Sequence, residues 1–212
     1  MHSERGFHRL VNFNDAVVAI AITLLVLPLV DSASSIGTMG PAHYLDENRT
    51  RLLAFALSFA VIGLFWWGQH QMFEVVSSYN PVLVWGMFAW LFSIVFLPFP
   101  TELLGSSSRV NATGHSIYVG TMLVTSVATL LQNWAIVRWP ELQKEATRGR
   151  ATLHASVILV ILMASAFLLV VAVPTLGLWP LLILAVSRPL EAIVARVRSN
   201  RGQVPGERAP SG

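Results

Sequence analysis

The chain has 212 residues, of which 54% are hydrophobic and 12% charged, against about 25% charged in soluble domains; its mean hydropathy is +0.63. Zero cysteines exclude disulfides, thiolate metal sites and S-palmitoylation. A net charge of +3 and a pI near 10.0 bring nucleic acid to mind, but the basic residues follow a membrane pattern, and no nucleic-acid partner is expected.

In chain order, apolar stretches fall near 12–30, 52–76, 82–104, 116–138, 151–173 and 175–197, each near the length of about 20 residues that crosses a bilayer. The expectation is an all-α, polytopic membrane protein with six transmembrane helices. Residues 1–200 form one six-helix unit, and residues 201–212, rich in Gly, Pro, Ser and Arg, form a disordered cytoplasmic tail. The sixth span is the weakest, because Arg188 and Pro189 interrupt it. Six crossings leave no room for a soluble catalytic domain, so neither enzyme activity nor a cofactor is expected. The first span lacks an A-x-A-like site and is too long for the apolar core of a cleaved signal peptide.

The segments between spans fix an orientation. Residues 31–50 and 105–115 read as outer loops, the second with an N-A-T glycosylation pattern at Asn111. Pro140–Arg150 reads as a charged inner loop, and residues 173–178 as a tight outer turn. Of the 14 Lys and Arg residues, only Arg49, Arg51 and Arg109 fall on the side opposite the termini. Positive charge stays inside, so both termini are expected in the cytoplasm.

The first span opens with a polar cluster, Arg9, Asn12, Asn14 and Asp15, and nothing between Ala16 and Val30 is charged. Asp15 lies about one turn inside the span, where a carboxylate is costly and needs a partner; a helix cap at headgroup level is the plainer alternative. At about 100° per residue, Leu24 lies about 40° from Ile20 and Leu27 about 20° on the other side, with Phe13 close to the same line. Thr23 lies about 60° off it and Asp15 about 140°. A bulky apolar stripe of this kind usually marks lipid contact or core. Pro28 cannot donate a hydrogen bond, which frees the carbonyl of Leu24.

The second span ends W-W-G-Q-H-Q-M-F-E. Trp67 and His70 share a face, and His70 is a partner for Asp15 if the first two spans run antiparallel. His70 and Glu74 have the i, i+4 spacing of a metal pair, but no third ligand stands near and no metal site is expected. The third span ends P-F-P-T-E-L-L-G, where Pro98 and Pro100 are expected to break the helix at the outer interface, with Glu102 just beyond, a motif of structural termination.

Arg9, Phe13 and Asp15 match the R-x-x-x-F-S-D signature of the transmembrane protein 175 family of potassium channels, which the chain resembles over roughly its first half. The resemblance runs on through A-V-V-A-I-A-I-T-L-L-V-L, S-F-A-V-I-G-L-F-W-W-G-Q-H and L-P-F-P-T-E-L-L-G. One departure is Asn14, which stands where the signature has Ser. The resemblance implies a homotetramer with the first helix of each subunit lining a central pore for potassium ions. It implies constriction rings at Ile20, Leu24 and Leu27, beside Thr23. It also implies a structural network of Arg9, Phe13, Asn14, Asp15, Trp67 and His70. Self-association, K+ and membrane lipid are thus the expected partners. A secondary transporter is the alternative; it needs broken helices or buried charges near the midplane.

Overall fold

The computed structural model describes residues 4–33, 40–106, 112–149 and 151–173. The expected sixth span, the 201–212 tail and Asn111 lie outside the described residues. Described helices are α1 (Glu4–Leu24), α2 (Leu27–Ala33), α3 (Pro41–Glu47), α4 (Arg49–Glu74), α5 (Pro81–Phe96), α6 (Pro98–Gly105), α7 (Ala112–Arg138) and α8 (His154–Ala172). Two 3₁₀ turns, Pro140–Leu142 and Glu145–Thr147, join α7 to α8. Five segments are long and apolar enough to cross a membrane: Arg5–Ala33, Arg49–Glu74, Pro81–Gly105, Ala112–Arg138 and His154–Ala172. Among the described residues the protein is all-helical and multi-pass, and the five spans fall where the hydropathy pattern puts them.

Helix starts and breaks follow from a few residues. Asn80 caps α5, its side-chain oxygen accepting the Leu83 N–H at 2.9 Å, while Pro81 takes the first helical position, where a missing N–H costs nothing. Pro98 and Pro100 break the third span as expected, but they do not terminate it. The helix breaks at Leu97 and resumes as α6 through Gly105, because prolines fit the first turn of the new helix. The Thr101 hydroxyl donates to the Leu97 carbonyl at 2.8 Å, satisfying an acceptor at the break.

Lipid tails are as apolar as leucine, so burial alone does not drive these helices together; close packing and interhelical hydrogen bonds do. α5 and α7, and α7 and α8, make the most extensive contacts, and α4 packs on α6. Trp90, Ile94, Tyr118 and Met122 are fully buried at the centre. Ser58 bonds Thr101 at 2.8 Å and Tyr118 at 3.1 Å, Ser93 accepts from Thr125 at 2.9 Å, and Gln69 donates to Gln132 at 2.6 Å. These polar links tie α4 to α6 and α7, and α5 to α7.

A second apolar cluster, with Phe7, Phe73, Leu83, Met87 and Ile136, closes the end that holds the chain's N-terminal helix start. There the α4–α5 connection pairs with the loop after α7: the Ser77 N–H donates to the Leu142 carbonyl at 2.8 Å and the Lys144 N–H to the Val75 carbonyl at 2.9 Å. Buried Gln143 donates to the Ile136 carbonyl and accepts from the Gly149 N–H, each at 2.9 Å. Gly149 has φ 82°, which a glycine adopts without strain. The start of α1 and both of these loops thus share one end of the bundle.

Candidate functional site

α1 has two faces of different character. Phe7, Asn14, Val18, Ala21 and Leu25 are buried at 4% exposure or less, and their steps of about seven, four, three and four residues form one seam against α4 and α5. The other face carries Phe13 (48% exposed), Ile20 (60%), Leu24 (43%) and Leu27 (52%). These large apolar side chains have little intramolecular cover, so the stripe found by helix geometry is the outward face of the first span. Thr23 is also exposed. Its hydroxyl donates to the Ile20 carbonyl at 2.7 Å, which spends its proton inside the helix and leaves oxygen lone pairs facing outward.

The stripe crosses a break. α1 ends at Leu24 and α2 begins at Leu27. Through the break, the N–H groups of Leu25 and Val26 reach only three residues back, to Ile22 and Thr23, each at 3.3 Å. Pro28 explains this: without an N–H it cannot bond the Leu24 carbonyl, so the chain tightens and restarts. α2 has no buried residue. It is held instead by Tyr44 of α3, whose hydroxyl donates to the Leu29 carbonyl at 2.9 Å and lies 2.7 Å from the Ser32 hydroxyl. Tyr44 carried no signal in the sequence, because a single tyrosine in a polar loop is unremarkable.

Asp15 is half-buried on the opposite side from the stripe. Its carboxylate accepts a hydrogen bond from the Trp66 indole N–H at 2.9 Å. Trp66, not the expected Trp67, makes this bond. Both tryptophans lie within one turn of His70, and spacing alone does not choose between them; the side on which α1 packs does. Trp67 is 48% exposed, and joins the group only through its ring, 6.0 Å from His70 and 6.3 Å from Trp66. His70 stacks on Trp66 at 5.6 Å and lies 3.8 Å from Glu74. His70 therefore reaches Asp15 only through Trp66. Arg9 is exposed and bonds no carboxylate among the described side chains. Phe13 touches Phe88 of α5 at 6.2 Å.

Asn14 is 1% exposed, and neither atom of its amide has a hydrogen-bond partner. This is the position where the sequence departs from the R-x-x-x-F-S-D pattern. The larger side chain brings two polar atoms into the seam and pairs neither, a cost of about 1–3 kcal/mol per group. Gln69 and Gln132 were also not singled out by sequence, although glutamines inside apolar spans are a usable signal. Gly86 explains their close fit: a Cβ there would stand 2.8 Å from Cγ of Gln132. Glu102, half-buried, lines a narrow crevice with Leu25, Pro28, Leu29 and Arg51.

Five membrane-length segments, the first pinned on one face and apolar and uncovered on the other, define a multi-pass helical membrane protein. The family model described as endosomal/lysosomal potassium channel TMEM175 matches residues 9–98. A potassium channel of Streptomyces collinus is 31% identical over 147 residues, covering 66% of this chain and 70% of that protein. The chain belongs to the TMEM175 family. A potassium channel of a Chryseobacterium species is 31% identical over 126 residues, 59% of this chain, and the match spans 62% of that relative's length. The crystal structure of a lysosomal potassium-selective channel TMEM175 homologue from Chamaesiphon minutus superposes with a TM-score of 0.73 at 25% identity, covering 88% of this chain and 98% of that one.

Proposed function

We propose that the protein is a potassium channel that conducts passively as a homotetramer, with the first spans of four copies around a central path. The observation that carries this reading is the exposure of Ile20, Leu24 and Leu27 on one face of a span whose other face is pinned into the subunit. One copy contributes one such face and cannot enclose a path alone; four place rings of apolar side chains around an axis. The membrane is the inner (plasma) membrane, with six spans per subunit, both termini cytoplasmic, and lipid around the outside.

The chemistry follows from the residues. Rings of Ile20, Leu24 and Leu27 make a narrow apolar constriction that controls conduction by dewetting. Thr23 offers an outward oxygen to an ion that has shed part of its hydration shell. Asp15 does not contact the ion: bonded to Trp66 about 140° away from Ile20, it fixes the rotation of α1 and so the aim of the stripe. His70 buttresses Trp66 by stacking, and Trp67 packs against it at a tilt. A transporter reading is not favoured, because the relatives that the chain matches over most of its length are potassium channels.

The test is flux. Purified protein in liposomes with a potassium gradient should give large passive K+ currents that exceed those of Na+ and do not depend on a second ion. Saturable flux coupled to another ion would overturn the channel reading.

A further inference from the structure

Two positive charges continue the stripe below its apolar part. Counted along α1 from Ile20, Arg9 falls about 20° from that line and Arg5 about 60°, with Arg9 about 16 Å below Ile20 along the helix. Both are exposed. Neither guanidinium is bonded to a carboxylate among the described side chains. Of the acidic residues at this end, Glu141 and Glu145 sit in the 3₁₀ turns after α7, and Glu74 lies 3.8 Å from His70. Asp15 is turned away and bonded to Trp66.

We propose that Arg9, with Arg5 one turn below it, forms a ring of positive charge at one mouth of the pore that depletes K+ there and makes conduction asymmetric. The inference rests on the pore reading above, since only a central axis brings four copies of this face together. The size of the effect follows from Coulomb's law. Four charges about 10 Å from an ion on the axis, in water and screened at 0.15 M salt, lower the local K+ concentration about twofold. At 0.01 M salt, where the screening length is about 30 Å, the same ring lowers it about sevenfold. Arg5 adds in the same direction. Potassium entering from the ring end therefore carries the smaller current, and the asymmetry grows as salt is withdrawn.

Single-channel recording of the full chain in a planar bilayer with equal KCl on both sides tests this. The natural protein should rectify, more strongly at low salt, with the smaller current carried by K+ entering at the N-terminal end. R9Q should relieve the asymmetry by about twofold at 0.15 M salt, R9K should keep it, and R9E should reverse its sign. Current–voltage curves of the natural protein that stay symmetric at low salt would overturn the ring, and so would an R9Q channel that rectifies as the natural protein does. If R9Q fails to assemble, the salt dependence of the natural protein decides alone. The pore reading is checked separately by I20N: a conductance increase there, with no asymmetry in the natural protein, removes the ring and leaves the pore.

Discussion

Replacing Trp66 with Phe removes one hydrogen-bond donor and keeps most of the ring. In the structure that donor is the indole N–H, 2.9 Å from the Asp15 carboxylate, in a half-buried setting. Hydrogen bonds to charged groups are worth about 1.5–3 kcal/mol; partial exposure lowers this to about 1–2 kcal/mol. For a chain of this size each kcal/mol corresponds to about 2–4 °C in Tm, so W66F should unfold about 2–8 °C below the natural protein. W67F is the matched control. Trp67 contributes only ring contacts and is 48% exposed, so its loss should cost under about 0.5 kcal/mol. Thermal unfolding of both variants in detergent, followed by loss of monodisperse protein, measures the difference. A W67F protein that is destabilised as much as W66F would refute the assignment of Trp66 as the link between the first two spans.

Other outcomes follow from the same contacts. I20N and L24N should wet the constriction and raise K+ conductance in liposome flux, whereas V18N, at a site 2% exposed, should lower the yield of folded protein instead. N14L removes two unpaired amide atoms and should leave Tm unchanged or higher, while a loss of more than about 1 kcal/mol would reveal a partner for that amide. Q69L should cost about 1–3 kcal/mol by orphaning buried Gln132, and the double change Q69L/Q132L should recover part of it in a double-mutant cycle. G86A should destabilise by about 1–3 kcal/mol, because its Cβ would stand 2.8 Å from Cγ of Gln132.

Much of this was legible in the sequence because bilayers leave few options: every backbone group must be paired within a helix, so apolar length alone marks the spans. The outward face of α1 was equally readable, since Ile20 and Leu24 keep their helical spacing on a single unbroken helix. Two things were hidden. A periodicity argument places Trp66 and Trp67 about equally well against His70, and only the packing of α1 on α4 selects Trp66 as the donor to Asp15. Prolines also read as stops, whereas Pro98 and Pro100 open a new helical turn and Pro28 restarts α2. The interhelical pair Gln69–Gln132 and the strut from Tyr44 join residues 63 and 15 positions apart, and no local pattern announces contacts of that range.

The most direct test of the central proposal uses the absence of cysteine from the natural chain. A single cysteine is placed at Ile20, on the exposed stripe, or at Val18, on the buried seam, and K+ current through the reconstituted protein is followed while a charged, water-soluble thiol reagent is added. If the stripe lines the path, the reagent should abolish the current of I20C and leave that of V18C intact. An I20C channel that conducts unchanged after its thiol has been shown to react would contradict the assignment of this face to the pore.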